Sequence, residues 1–121
     1  MIPTYEQRAL QEAARRYARE QLLPLYQKRE REARMDGALR REMGQLGFIG
    51  MDVSAEFGGM GCSAVTTGLV VEELSYGDFN VGSFIVLQSL CGALLDRNGQ
   101  EALKRQWLPR VCQASRERLR D

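Results

Sequence analysis

A chain of 121 residues has room for one domain around one core. Seventeen basic residues against sixteen acidic ones leave a net charge of +1, so bulk charge draws it to neither nucleic acid nor an anionic bilayer. It has no histidine, which removes Ser-His and Cys-His nucleophile pairs, a neutral-pH imidazole base and most zinc sites.

Cys62, Cys91 and Cys112 show no C-x-x-C spacing, and an odd, widely spaced set reads as reduced thiols. Arg8, Glu12, Arg15 and Arg16 interrupt any N-terminal apolar run, and no uninterrupted apolar stretch reaches the roughly 18 residues of a transmembrane helix. The expectation is a soluble, cytoplasmic protein. Lys28 to Arg34 and Arg110 to Arg120 are locally basic, but the first run alternates with Glu30 and Glu32 and reads as a solvated helix face.

Thr4 with Gln7 forms a capping box, and a long helix follows with Leu10, Ala13, Ala14, Tyr17, Ala18, Leu22 and Leu25 as its stripe. Pro24 removes the backbone bond to Glu20, so a kink or break is expected there. A second helix begins near Asp36, puts Leu39, Met43 and Leu46 on one face, and stops at Gly47. Phe48, Ile49, Met51 and Val53 make a short apolar stretch that tucks into the core. The glycine-rich loop Ser54 to Gly61 leads to Ser63, an N-cap for a third helix carrying Val65, Leu69, Val70 and Leu74 inward and ending at Gly77.

The fourth helix, Val81 to Leu95, is apolar almost all round, which predicts burial on every side, as a central helix or beneath a partner domain. Asn98 with Glu101 reads as the cap of a fifth helix, and Pro109 as the first turn of a short sixth. The fold class is all-α, an orthogonal or up-down bundle of five to six helices. Residues 1–113 form the helical domain and 114–121 a polar tail.

Three motifs invite chemistry. Gly59-Met-Gly61-Cys-Ser-Ala64 matches G-x-G-x-x-A, but no strand feeds it and no βαβ unit follows, so a structural turn is the better reading than a dinucleotide site. Glu72 and Glu73 are adjacent on a helix, about 100° apart, and read as surface or salt-bridge residues rather than a carboxylate pair. Cys91 has no base near it in sequence and reads as a small buried hydrophobe.

The order of elements resembles the acyl-CoA dehydrogenases. The resemblance is carried by Leu46-Gly-Phe-Ile-Gly-Met51, Phe57-Gly-Gly-Met-Gly61, Val71-Glu-Glu-Leu-Ser-Tyr-Gly77, the apolar helix, and Asn98 to Pro109. In the last run Gly99, Lys104, Leu108 and Pro109 fit the family's pattern, while Leu103 stands in place of its glutamine. Ser54 stands where family members often have proline, which implies a less rigid loop entry. The resemblance spans roughly residues 4–113, the family's N-terminal helical domain. It stops before the segment that opens the flavin-binding β-domain, so the chain is expected to be truncated there.

The resemblance implies a fold, a reaction and a division of labour. In such enzymes a glutamate of the C-terminal helical domain removes the α-proton of an acyl thioester, and FAD accepts the β-hydride. The N-terminal domain implies neither a catalytic residue nor a flavin site. It implies one wall of the acyl pocket, at Gly82, Ser83, Val86, Leu87 and Leu90. Ser83, Val86, Leu87 and Leu90 follow i, i+3, i+4, i+7 and so share a face. The bland alternative is that they are core. Partners implied are acyl-CoA or an acyl-carrier thioester, the missing β- and C-terminal domains, and a second copy of the chain, with no nucleic acid and no membrane. The alternative function is a free-standing, non-catalytic module that binds an acyl-thioester carrier or a partner subunit, and a weaker one is a remnant without present function.

Overall fold

Thr4 and Gln7 close the expected capping box: the Thr4 hydroxyl accepts from the Gln7 amide at 3.1 Å, and the Gln7 side chain accepts from the Thr4 amide at 2.9 Å. The computed structural model describes residues 3–113, so the polar tail and most of the second basic run lie outside the described residues. Within them the fold is all-α, with helices α1 (Tyr5–Tyr17), α2 (Tyr26–Glu32), α3 (Gly37–Gln45), α4 (Ala64–Gly77), α5 (Phe79–Asn98) and α6 (Glu101–Gln113).

Pro24 breaks the α pattern, as its missing amide requires. A π turn over Ala18–Leu22 carries the Leu23 amide back to the Ala18 carbonyl, and a 3₁₀ turn over Leu23–Leu25 leads into α2. The register changes at the break, so Ala18 and Leu22 stay buried while Leu25, expected on the same stripe, is exposed. Gly77 packs directly on the π turn: a Cβ there would stand 2.7 Å from the Ala18 carbonyl oxygen. Glycine at the end of α4 is therefore a demand of packing.

The main core gathers Ala14, Tyr17, Leu22, Met43, Val70, Leu74, Val81 and Ile85 around the apolar stretch Phe48, Ile49 and Met51. Tyr17 and Phe48 meet edge to face, ring centres 5.9 Å apart. Val53, Phe57, Leu108 and Cys112 form a second cluster beneath the glycine loop. Burial pushes the Cys112 thiol up to about 11, with Asp52 and Asp96 adding to the shift.

Four local expectations are corrected. Leu46 is exposed, because α3 ends at Gln45 and Gly47, with φ of +85°, turns the chain away. Val65 is exposed, and α4 instead buries Thr66, Thr67, Val70 and Leu74. Both threonine hydroxyls are satisfied: Thr66 Oγ1 accepts from Gln7 at 3.0 Å, and Thr67 Oγ1 donates to the Ser63 carbonyl at 3.2 Å. Asn98 closes α5 rather than opening α6, its side chain donating to the Leu94 carbonyl at 3.0 Å. Pro109 lies inside α6, where burial of Leu108 and Cys112 against Val53 and Phe57 holds the last turn despite the lost amide.

Candidate functional site

Asp78 is the whole connection between α4 and α5. Its amide donates to the Leu74 carbonyl at 3.0 Å, ending α4, and its carboxylate accepts from the Asn80 amide at 2.9 Å, starting α5. Gly82 lets the two helices approach, since a Cβ there would fall 1.9 Å from the Ser75 hydroxyl oxygen. At the other end of α5, Ser54 donates to Asp96 from its amide at 3.0 Å and its hydroxyl at 2.7 Å. These bonds anchor the loop entry that the resemblance made less rigid, and they hold the Asp96 carboxyl below its ordinary range.

Between these anchors α5 has two apolar faces. One carries Val81, Gly82, Ile85, Ser89 and Gly92 into the interior. The other lies open: Phe79 is 71% exposed, Val86 46%, Leu87 58%, Leu90 55% and Leu94 56%. Burial on every side is therefore corrected. The helix looked uniformly apolar because its outer face is as apolar as its inner one, and both together make it the one helix among the described residues apolar enough, by length and mean hydropathy, to cross a bilayer.

The open residues recur at helical spacing from Phe79 to Leu94, a stripe roughly 22 Å long at 1.5 Å per residue. Of the residues expected at the pocket wall, Val86, Leu87 and Leu90 stand on it, with Ser83 half-buried in the same row. Gly82 does not join them, because it faces α4. Phe79 and Leu94 extend the stripe and were missed as site residues, although they stand four residues before Ser83 and after Leu90. Cys91 is exposed on the stripe's edge, not buried as expected.

The glycine loop is a turn. Gly58 and Gly61 take φ of +98° and +63°, and a Cβ on Gly59 would sit 2.1 Å from the Val53 carbonyl oxygen. Its amides bond the loop itself, Gly59 to the Ser54 carbonyl, Gly61 to Val53 and Cys62 to Met51. With those donors engaged, the loop does not fit a flavin pyrophosphate. Glu73 has the salt-bridge role expected of it, accepting from Arg15 at 2.8 Å and Gln11 at 3.3 Å to tie α4 to α1, and the Arg15 hydrogen bond lowers its pKa.

The family model for the N-terminal domain of acyl-CoA dehydrogenases matches residues 4–115. The chain belongs to the acyl-CoA dehydrogenase family. This acyl-CoA dehydrogenase domain is 30% identical over 106 residues to the mitochondrial isobutyryl-CoA dehydrogenase of Dictyostelium discoideum, covering 88% of this chain and 26% of that protein. It is 32% identical over 109 residues to the isovaleryl-CoA dehydrogenase of Pongo abelii, with coverage of 88% and 26%. The glutaryl-CoA dehydrogenase of Mycobacterium smegmatis, solved in complex with FADH2, superposes with a TM-score of 0.84 at 30% identity, over 92% of this chain and 29% of that one. The chain thus spans about a quarter of the length of the curated relatives it matches.

Proposed function

We propose that this acyl-CoA dehydrogenase domain supplies one wall of the acyl pocket of an FAD-dependent enzyme that desaturates an acyl thioester, and that it does not catalyse alone. The observation that carries the reading is the open apolar stripe on α5. A wall for an acyl chain calls for contiguous apolar side chains with few polar groups among them, and Val86, Leu87, Leu90 and Leu94 meet that description. Ser83 is the polar member of the row. FAD, held elsewhere in such an enzyme, would take the hydride; the residues of this chain bind, orient and exclude water. Where the remaining domains do not cover the stripe, it pairs two copies of the chain, α5 against α5.

The test is a domain exchange. The chain replaces the matching region of the Mycobacterium smegmatis glutaryl-CoA dehydrogenase, and acyl-CoA oxidation is followed with an electron-acceptor dye. The exchanged enzyme should load FAD and oxidise an acyl-CoA, while the chain by itself should show neither flavin absorbance nor turnover. Leu87→Trp and Leu90→Trp should each shift the preference toward shorter acyl groups. An exchanged enzyme whose acyl preference ignores both substitutions would overturn the pocket-wall assignment.

A further inference from the structure

We propose that Arg29 is a positioning residue for this wall: through Asp78 it locks the α4–α5 junction and so sets where the first turn of the stripe stands. The inference rests on the pocket-wall reading for its function, and on the following geometry for its mechanism. Arg29 Nε donates to Asp78 Oδ2 at 2.8 Å, and a second guanidinium nitrogen donates to the Leu22 carbonyl. Asp78 is 3% exposed and Arg29 13%. The other carboxylate oxygen of Asp78 caps α5.

A helix cap needs only one side-chain oxygen, and serine or asparagine would supply it as well. The second oxygen of Asp78 is a buried charge that helix capping does not call for, and such a charge is costly unless paired. Its partner comes from α2, beyond the Pro24 break. One guanidinium therefore joins three elements: the π turn through Leu22, α2 through its own backbone, and the α4–α5 junction through Asp78. Lysine, a point charge without the planar fork, cannot make both bonds in this geometry. A second tie runs in parallel, Asn80 Nδ2 to Glu30 Oε1 at 2.8 Å. Phe79, the first residue of the stripe, lies between the two tied positions, and Ser83 follows one turn later.

The surroundings make the lock local. A cavity of about 320 Å³ borders Arg29, Arg34, Asp78 and Asn80. Water enters there if the pair is broken, and no apolar side chain has to move to admit it. Loss of the pair should thus loosen the junction before it loosens the core around Leu74 and Ile85.

Amide hydrogen exchange on the full chain tests this with two variants. Asp78→Asn keeps a good cap and removes the charge; Arg29→Lys keeps the charge and removes the fork. Each should speed exchange of the amides of residues 80–84 by about tenfold or more, with α1 and α6 unchanged. Unchanged exchange at those amides, or acceleration spread evenly over all helices, overturns the proposal. In the domain-exchanged enzyme, Arg29→Lys should raise KM for acyl-CoA severalfold while kcat is kept, and an unmoved KM also overturns it. An exchanged enzyme inactive with Arg29 intact counts against the pocket-wall reading, and the exchange pattern then still decides whether Arg29 holds the junction.

Discussion

Two carboxylates carry the acid stability of the fold that local geometry can explain. Glu73 and Asp96 both titrate below their ordinary values of 4.5 and 3.8, through hydrogen bonds from Arg15 and from Ser54 respectively. A depressed folded pKa means that the unfolded chain binds the proton first. The stabilisation is complete above the ordinary values and is lost as pH falls through the folded ones. The melting temperature should therefore fall below about pH 4, and Glu73→Gln with Asp96→Asn should flatten that acid limb. Cys112 acts at the other extreme. Its folded pKa is raised to about 11 from 9.0, so stability should decline as pH rises from the lower value to the higher, and Cys112→Ala should remove that decline. Alkylation of the native protein should proceed in the order of exposure, Cys91 before Cys62 and Cys112 last. Mass spectrometry of peptides at increasing times reads the order directly, and early modification of Cys112 would contradict its burial.

At the scale of the element, α5 separates residues that its sequence makes look alike. Ile85→Ala, at a fully buried position, should cost roughly 2–5 kcal/mol in urea unfolding. Leu90→Ala, on the open stripe, should cost under about 1 kcal/mol in the isolated chain. Gly82→Ala should destabilise by forcing α5 away from α4, and Ser75→Gly should recover part of the loss, because the nearest atoms belong to Ser75. These contrasts also mark what was legible. The Thr4, Asp36 and Ser63 caps and the Gly47 stop depend on backbone groups within a few residues, and the sequence displays them. The inward face of α4 was misread because Thr66 and Thr67 count as polar until distant or backbone partners satisfy their hydroxyls. Asn98 carries a capping residue's chemistry at either end of a helix, and only the length of α5 decides which end it serves. Of the site, the row from Ser83 to Leu90 was visible as a spacing. That it lies open while Val81 and Ile85 are covered depends on tertiary contacts with α4 and the 48–53 stretch, which no local pattern contains. The same holds for Arg29, whose partner lies 49 residues away.

For the whole molecule, the stripe is the feature that solution behaviour should report. The Phe48 to Val53 stretch, which the resemblance also suggested as surface covered by absent domains, is buried within the chain, so exposure concentrates on α5. Light scattering at micromolar concentration should show association beyond the monomer mass of 13.7 kDa, and Leu87→Glu with Leu90→Glu should abolish it. A wild-type monomer that binds no hydrophobic dye would contradict this. The π turn has a different kind of consequence, for chain length rather than composition. It accommodates one residue more than an α-helical turn does. Arg19 and Glu20 project into solvent there, so substituting either should matter little. Deleting either is another matter: the turn could then close as ordinary α-helix, and everything after it would rotate by about 100°. Leu22 would leave the core and α2 would swing off the α4–α5 junction. This acyl-CoA dehydrogenase domain should thus tolerate nearly any letter at residues 19 and 20 and no gap.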